Sequence, residues 1–330
     1  MRNINAVSQI GIHAEYDLMI QRCLVDEAGV AILDGEGNPI PVGKPRHVHT
    51  QKNLITNTGM DWFGTSTDWS GTVGLGNHCR VGGGSAEPAF TNTALASQVA
   101  VVTGPSGGFS WGTGTYLNAA VYSRTYTFAV GAAAGNLTEI GLSNGAAANL
   151  LTRSLFKDPG GSPVVVQVAS DEQLIVNYRF IFRADTADKV FNPPPTSPTP
   201  TSYTLTLRPM NLGSGSLNAG GLLGAGISGI NQSYYYGASS ALGPITGSPT
   251  GTYGGHSAAT IGTETYVTGS FERVTTYTLQ TTAANVADLG VIVFGGSVPF
   301  TWQLGISPRM TKVAPETVKI TILNKWARAA

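Results

Sequence analysis

Residues 124–142 read RTYTFAVGAAAGNLTEIGL, and residues 273–291 read RVTTYTLQTTAANVADLGV. Tyr126-Thr127-Phe128 faces Tyr277-Thr278-Leu279, and Asn136-Leu137-Thr138-Glu139-Ile140-Gly141 faces Asn285-Val286-Ala287-Asp288-Leu289-Gly290. The two segments are spaced differently by two residues, which a surface turn absorbs. Upstream, Tyr116–Val121 faces Tyr266–Phe271, and downstream each copy closes in an alternating strand after a proline-containing turn. A matching order of this length predicts two β domains related by duplication. Glu139 and Asp288 then occupy equivalent places, which suits a structural carboxylate accepting backbone N–H bonds in a turn.

Period-two alternation dominates elsewhere. In LIVNYRFIFR, residues 174–183, one face takes Leu174, Val176, Tyr178, Phe180 and Phe182, and the other takes Ile175, Asn177, Arg179, Ile181 and Arg183. One apolar face at that period is a half-buried strand. Tyr203–Arg208, Val318–Leu323 and Val164–Val168 read as strands too, the last after the turn Asp158-Pro159-Gly160-Gly161. Helical periodicity is sparse. Within Gln51–Phe63, Leu54, Ile55, Met60 and Phe63 share a stripe weakened by Gly59, which predicts one short helix. The expected fold class is all-β: two tandem β-sandwich-like domains with an N-terminal extension and at most one short helix.

Bulk properties agree. A chain of 330 residues has room for about two domains. Lys+Arg and Asp+Glu balance at 19 each, which argues against a nucleic-acid binder, and a hydrophobic content of 42% argues against disorder. Glycine (43 residues) and proline (18) suit short strands joined by tight turns. Cys23 and Cys79 stand in no C-x-x-C spacing, so neither a disulfide framework nor a zinc site is expected. The first residues lack a signal-like apolar core and no run approaches a membrane span, so no membrane insertion is expected. The Pro-rich stretch 192–200 reads as a connector, and 211–229 as a Gly/Ser-rich break. The expected boundaries are 1–50 for an extension, 51–210 for the first domain and 211–330 for the second.

Several passages carry a family resemblance. They are KNLITNTGMD (52–61), CRVGGGSAEPAFTNTAL (79–95), Glu139-Ile140-Gly141, Ser154-Leu155-Phe156, ASDEQL (169–174), WQLGISP (302–308) and VKITILNKWAR (318–328). In this order they resemble virion proteins of tailed bacteriophages, of the tail, tail-fibre or appendage class. The likeness spans roughly residues 50–328 and leaves the first fifty uncovered. It implies an assembly role in the virion and supplies no catalytic residue or cofactor.

Motifs with possible chemistry are few. Gly104–Gly108 matches G-x-S-x-G, but a nucleophile elbow needs a strand before the serine and a helix after it, and FSWGTG follows. His47 and His49 would share one face of an extended segment and could ring a metal on a symmetry axis; ordinary exposed histidines are the preferred reading. Asp34-Gly35-Glu36-Gly37-Asn38 places oxygens as a calcium loop might, yet a hairpin turn is the better account. Trp62, Trp69 and Trp111, with Asp61 and Asp68 adjacent, and Tyr234, Tyr235 and Tyr236 form either a glycan platform or subunit contacts.

The expected function is therefore a non-enzymatic structural protein of the phage tail or an appendage. It works as a homo-oligomer, without cofactor, metal or nucleic acid. Residues 1–50, through Leu18-Met19-Ile20 and Val30–Leu33, would dock neighbouring virion proteins as strands that a partner completes. The alternative is a carbohydrate-binding module that reads host surface glycans.

Overall fold

Alternation in the first 22 residues builds the strand that organises the whole chain. The computed structural model describes residues 2–329 apart from 66–74, 108, 112–118, 146–148, 193–201, 211–231, 238, 246, 252, 259, 264, 281–285, 296–300 and 315. Strand β1 (Arg2–Arg22) buries Ile4, Ala6, Ile10, Ile12, Ala14, Tyr16, Leu18 and Ile20 on one face. Ser8, in the same even-numbered run, is buried too and donates to Asn324 Oδ1 at 2.8 Å. The C-terminal half of β1 pairs antiparallel with β11 (Glu172–Ala184), from Ile10↔Ala184 to Arg22↔Glu172. Its N-terminal half pairs in parallel with β20 (Val318–Arg328), from Arg2↔Val318 to Ile12↔Arg328. Strand β2 (Arg46–Ile55) takes the edge opposite β11 over Ala14–Ile20. From residue 10 to residue 20, β1 thus leaves little edge for another protein's strand. Leu18 and Ile20, expected to dock elsewhere, are buried in this chain's own core, and β11 and β2 already occupy both edges of β1 there.

The rest of the chain uses one pairing scheme twice. In the first unit β2 pairs β9 (Leu150–Leu155), β9 pairs β8 (Glu139–Ser143), β8 pairs β3 (His78–Gly82) and β3 pairs β4 (Gln98–Thr103). Beside it, β5 (Phe109–Trp111) pairs β6 (Ala119–Thr127), which pairs β11. In the second unit β13 (Thr204–Met210) pairs β19 (Thr301–Lys312), β19 pairs β18 (Val286–Gly295), β18 pairs β14 (Gln232–Tyr236) and β14 pairs β15 (Tyr253–Ala258). Its other row runs from β16 (Thr260–Thr263) to β17 (Glu272–Leu279) to β20. The matched tyrosines keep their places, Tyr126 opposite Val176 of β11 and Tyr277 opposite Ile320 of β20. Two short pairings complete the described strands: β7 (Gly135–Leu137) with β10 (Val166–Val168), and β12 (Lys189–Phe191) with β13.

The units are fused. One hydrophobic cluster runs from Ile4 in β1 through Phe180 and Phe182 in β11 to Leu304 in β19 and Trp326 in β20. Trp326 Nε1 donates to Met60 O at 2.9 Å, and Tyr266 stacks on Trp326 with ring centroids 5.6 Å apart while donating to Asp61 Oδ1 at 2.5 Å. The Pro-rich stretch, of which 193–200 matter here, and the 211–229 break lie outside the described residues.

The single described helix, α1 (Asn57–Thr65), begins later than its stripe suggests, because β2 continues through Ile55 and buries Asn53 and Ile55. Thr56 caps it: its Oγ1 accepts from Gly59 N at 3.1 Å and donates to Leu150 O at 2.6 Å. Gly59 lies against β9, where a Cβ would come within 2.1 Å of Leu151 O. Gly59→Ala should therefore destabilise the protein by about 1–3 kcal/mol in urea unfolding, although alanine is the better helix former. An equally stable variant would mean that this contact relaxes freely.

Between β1 and β2 the chain projects an arm of two short hairpins and a stem meeting at one node. Ile32 N donates to Leu24 O (2.9 Å), Ile40 N to Ile32 O (3.0 Å) and Leu24 N to Ile40 O (2.9 Å), closing a ring. Bridges Cys23↔Pro41, Val25↔Ala31 and Leu33↔Pro39 run outward from that node. Each tip repeats one device. Asp26 Oδ1 accepts from the N–H groups of Ala28 and Val30, and Asp34 Oδ1 from those of Glu36 and Asn38. Gly29 and Gly37 supply the positive φ of +79° and +85° that the tips require. The stretch 34–38 is thus a hairpin turn whose carboxylate is occupied by its own backbone, and the N–H bonds from Asn38 and Glu36 hold the Asp34 carboxyl below the usual range. Asp34→Ala should speed amide exchange at Glu36 and Asn38 while sparing β1 amides; unchanged exchange would show the turn to be set by glycine alone.

Candidate functional site

Strand pairing assembles a carboxylate–arginine pair in each unit. Glu139 opens β8, and the antiparallel β9 brings Arg153 beside it. Arg153 Nη2 and Nε reach Glu139 Oε2 at 2.8 and 3.1 Å, and the two side chains are 2% and 0% exposed. Glu139 Oε1 also accepts from Ser97 N (2.8 Å) and Gly84 N (3.1 Å), and Oε2 from Ala96 N (3.1 Å). Arg153 spends its remaining donors on Ala86 O and Asn92 Oδ1, both at 2.7 Å. The loop between β3 and β4 is thereby tied to the sheet. Glycine lets it come close, since a Cβ on Gly84 would stand 2.3 Å from Glu139 Oε1. Burial alone would raise the Glu139 carboxyl; the N–H groups of Ser97 and Ala96 with the Arg153 guanidinium outweigh it and hold the group low. The passages VGGGSAEP, EIG and the residue before SLF are therefore parts of one structural lock.

The second unit carries the same pair, opened. Asp288 on β18 meets Arg309 on β19 at 3.2 Å, and Arg309 Nη2 donates to Ser240 O at 3.1 Å in the loop between β14 and β15. Here the side chains are 41% and 38% exposed. Beside them opens a cleft of about 580 Å³ lined by Thr204, Thr206, Arg208, Ser307 and Arg309. Arg208 is clamped by Asp188, with Nε and Nη2 each 2.6 Å from its oxygens, and that hydrogen bonding holds the Asp188 carboxyl low. Both guanidiniums already face a carboxylate, so the lining suits a hydroxyl-rich neutral ligand better than a free anion.

The aromatic residues expected to form a platform are distributed over separate elements. Trp62 on α1 is half-buried, packs against the core and meets Phe63 edge-on at 5.7 Å, so it serves as packing. Its neighbour Asp61 is taken by Tyr266 and by Gly269 N at 2.7 Å. Trp111 belongs to β5, opposite Ala120, whereas Tyr234, Tyr235 and Tyr236 belong to β14 in the other large sheet. Trp69 and Asp68 lie outside the described residues. His47 and His49 do not share a face, because a bulge in the β1–β2 pairing falls between their partners Met19 and Leu18. His49 is buried against Phe156, with ring centroids 5.5 Å apart, while His47 is exposed and bonds Thr50 Oγ1 at 2.7 Å. Ser106 is bridged to Thr125 and strand β5 follows it, so the residues after it build no nucleophile elbow. Arg153 escaped the sequence reading: β8 against β9 sets it opposite Gly141, from where its guanidinium reaches diagonally to Glu139.

No protein-family model, curated protein or solved structure matches this chain.

Proposed function

We propose that this chain is a structural protein of a tailed-bacteriophage virion, in the tail or an appendage, where copies assemble with one another and with neighbouring virion proteins. One observation carries the reading. A pairing scheme used twice is fused through β1 into a single core, and from that core projects a hydrogen-bonded arm with exposed apolar side chains. A body of this kind holds a position and offers a rigid contact. The passages resembling virion proteins fit this role, since VGGGSAEP and EIG fasten a loop to a sheet. Docking of neighbours falls to the arm in this reading, because strand β1 is already paired on both edges over most of residues 10–20 and with β20 before that. Imaging of intact particles with a tagged chain should place it at the tail or an appendage. Its absence from purified particles would refute the proposal.

The cleft of the second unit supports a second reading, a module that binds host glycans through its hydroxyl-rich lining. Filling it with Ser307→Trp should abolish glycan-array binding while leaving the assembly mass unchanged. A wild-type chain that binds no glycan removes this alternative.

A further inference from the structure

The arm is more than a connection between β1 and β2. Among residues 23–43, Leu24 is 43% exposed, Val30 61%, Ile32 41%, Leu33 53% and Val42 41%. Five large apolar side chains displayed within about twenty consecutive residues exceed the scattered single exposures of an ordinary surface. They are also fixed in place, because the ring through Leu24, Ile32 and Ile40 and the aspartate-capped tips leave the backbone little freedom. A surface ordered in advance loses little entropy on association.

Charge names the occupant. Residues 23–43 hold Asp26, Glu27, Asp34 and Glu36 and no Lys or Arg. The whole chain balances 19 against 19, so the remainder carries 19 bases against 15 acids. The acids sit at the two tips, while Arg22, Lys44 and Arg46 stand at the arm's foot, exposed. Asp171 lies 2.6 Å from Arg22 and Glu172 lies 3.4 Å from Arg46, so these two foot cations are shared with carboxylates of the same chain. Acid at one end, base at the other and apolar side chains between is a self-complementary pattern. Two such arms lying antiparallel bring tips to feet and bury their apolar middles together, whereas parallel arms would set tip against tip.

We infer that the arm joins this chain to a second copy of itself, arm against antiparallel arm. The inference rests on the homo-oligomeric part of the function proposed above and specifies its contact. In that arrangement Glu27 and Glu36 of one copy lie near Lys44 and Arg46 of the other. All four side chains are exposed, and the turn bonds at Asp26 and Asp34 use backbone N–H groups that substitution retains.

The test is solution mass, by sedimentation of the full chain. The wild type should sediment as two copies of 34.2 kDa or a multiple of two, more weakly at high salt. Glu27→Lys with Glu36→Lys should weaken association by about tenfold or more, and so should Lys44→Glu with Arg46→Glu. An equimolar mixture of the two variants should recover the wild-type mass, because each supplies the charge the other now needs. Ile32→Ser should weaken association without changing its salt dependence. Unchanged mass in every variant overturns the arm contact and leaves the virion reading standing. A wild type that stays monomeric at all attainable concentrations overturns the contact and the homo-oligomer together. Two weakened variants that fail to rescue one another overturn the antiparallel arrangement.

Discussion

A chain lacking residues 2–22 should not fold, whereas one in which residues 25–39 are replaced by a two-residue turn should fold normally. Strand β1 places Ile4, Ile10, Ile12, Tyr16, Leu18 and Ile20 in the common core. Full burial of such side chains stabilises a protein by about 1.5–3 kcal/mol each. Six of them together match the entire margin of a typical domain, about 5–15 kcal/mol. Deletion would also strip β11 and β20 of their shared neighbour and leave a buried sheet with unpaired backbone groups. The arm beyond Leu24 is exposed, and its base is closed by Leu24 N to Ile40 O and Val42 N to Arg22 O. Shortening it removes surface and no core. Circular dichroism and cooperative thermal unfolding check both variants; a folded chain without β1 would show that the two units are stable without their common strand.

The second large effect lies at the buried pair. Arg153→Met leaves the Glu139 carboxylate buried without its cation, and Glu139→Gln turns an acceptor of five hydrogen bonds into a group that must also donate. Each should cost about 3–5 kcal/mol. The equivalent changes in the second unit, Arg309→Met and Asp288→Asn, should cost only about 0–1 kcal/mol, because that pair is open to water. Burial and the three N–H bonds to Glu139, against an exposed Asp288, set the difference. The sign with pH follows from the lowered Glu139 carboxyl. Its contribution is complete above the unfolded value of about 4.3 and is lost as pH falls through the lower folded value. The wild type should lose stability steeply in that acid window, and Glu139→Gln less steeply. Urea unfolding from neutral pH down to about 3 measures both; parallel pH profiles would assign the acid response to other carboxylates.

What could be read in advance follows a physical line. Strand β11 was legible because its apolar residues are large and strictly alternate, so Leu174, Val176, Tyr178, Phe180 and Phe182 announce a core face. The matched stretches were legible because β6 with β8, and β17 with β18, use the same order of side chains. That Glu139 receives backbone N–H bonds was legible from its place in the matched stretches, although it opens strand β8 and does not sit in a turn, and the hairpin at Asp34 was legible as an alternative preferred to a calcium loop. Strand β1 was not. Its buried face includes Ala6, Ser8 and Ala14, which lower the apolar contrast, and its partner β20 lies at the far end of the chain where no local pattern points to it. The late start of α1 escaped for a related reason: only pairing with β9 keeps Leu54 and Ile55 extended. Arg153 and the cleft were invisible because both depend on which strands lie side by side.

The parallel ladder between β1 and β20 also fixes an order of events during synthesis. Arg2 to Ile12 leave the ribosome more than three hundred residues ahead of the strand that covers their edge, Val318 to Arg328. The first unit can close around the C-terminal half of β1 as soon as β11 emerges, while Ile4 and Ala6 wait for a partner more than three hundred residues downstream. Long-separation pairing of this kind slows the final folding step and leaves a sticky edge open to other nascent copies in the meantime. High expression should therefore favour inclusion bodies, and slower translation or a lower temperature should raise the yield of native chain.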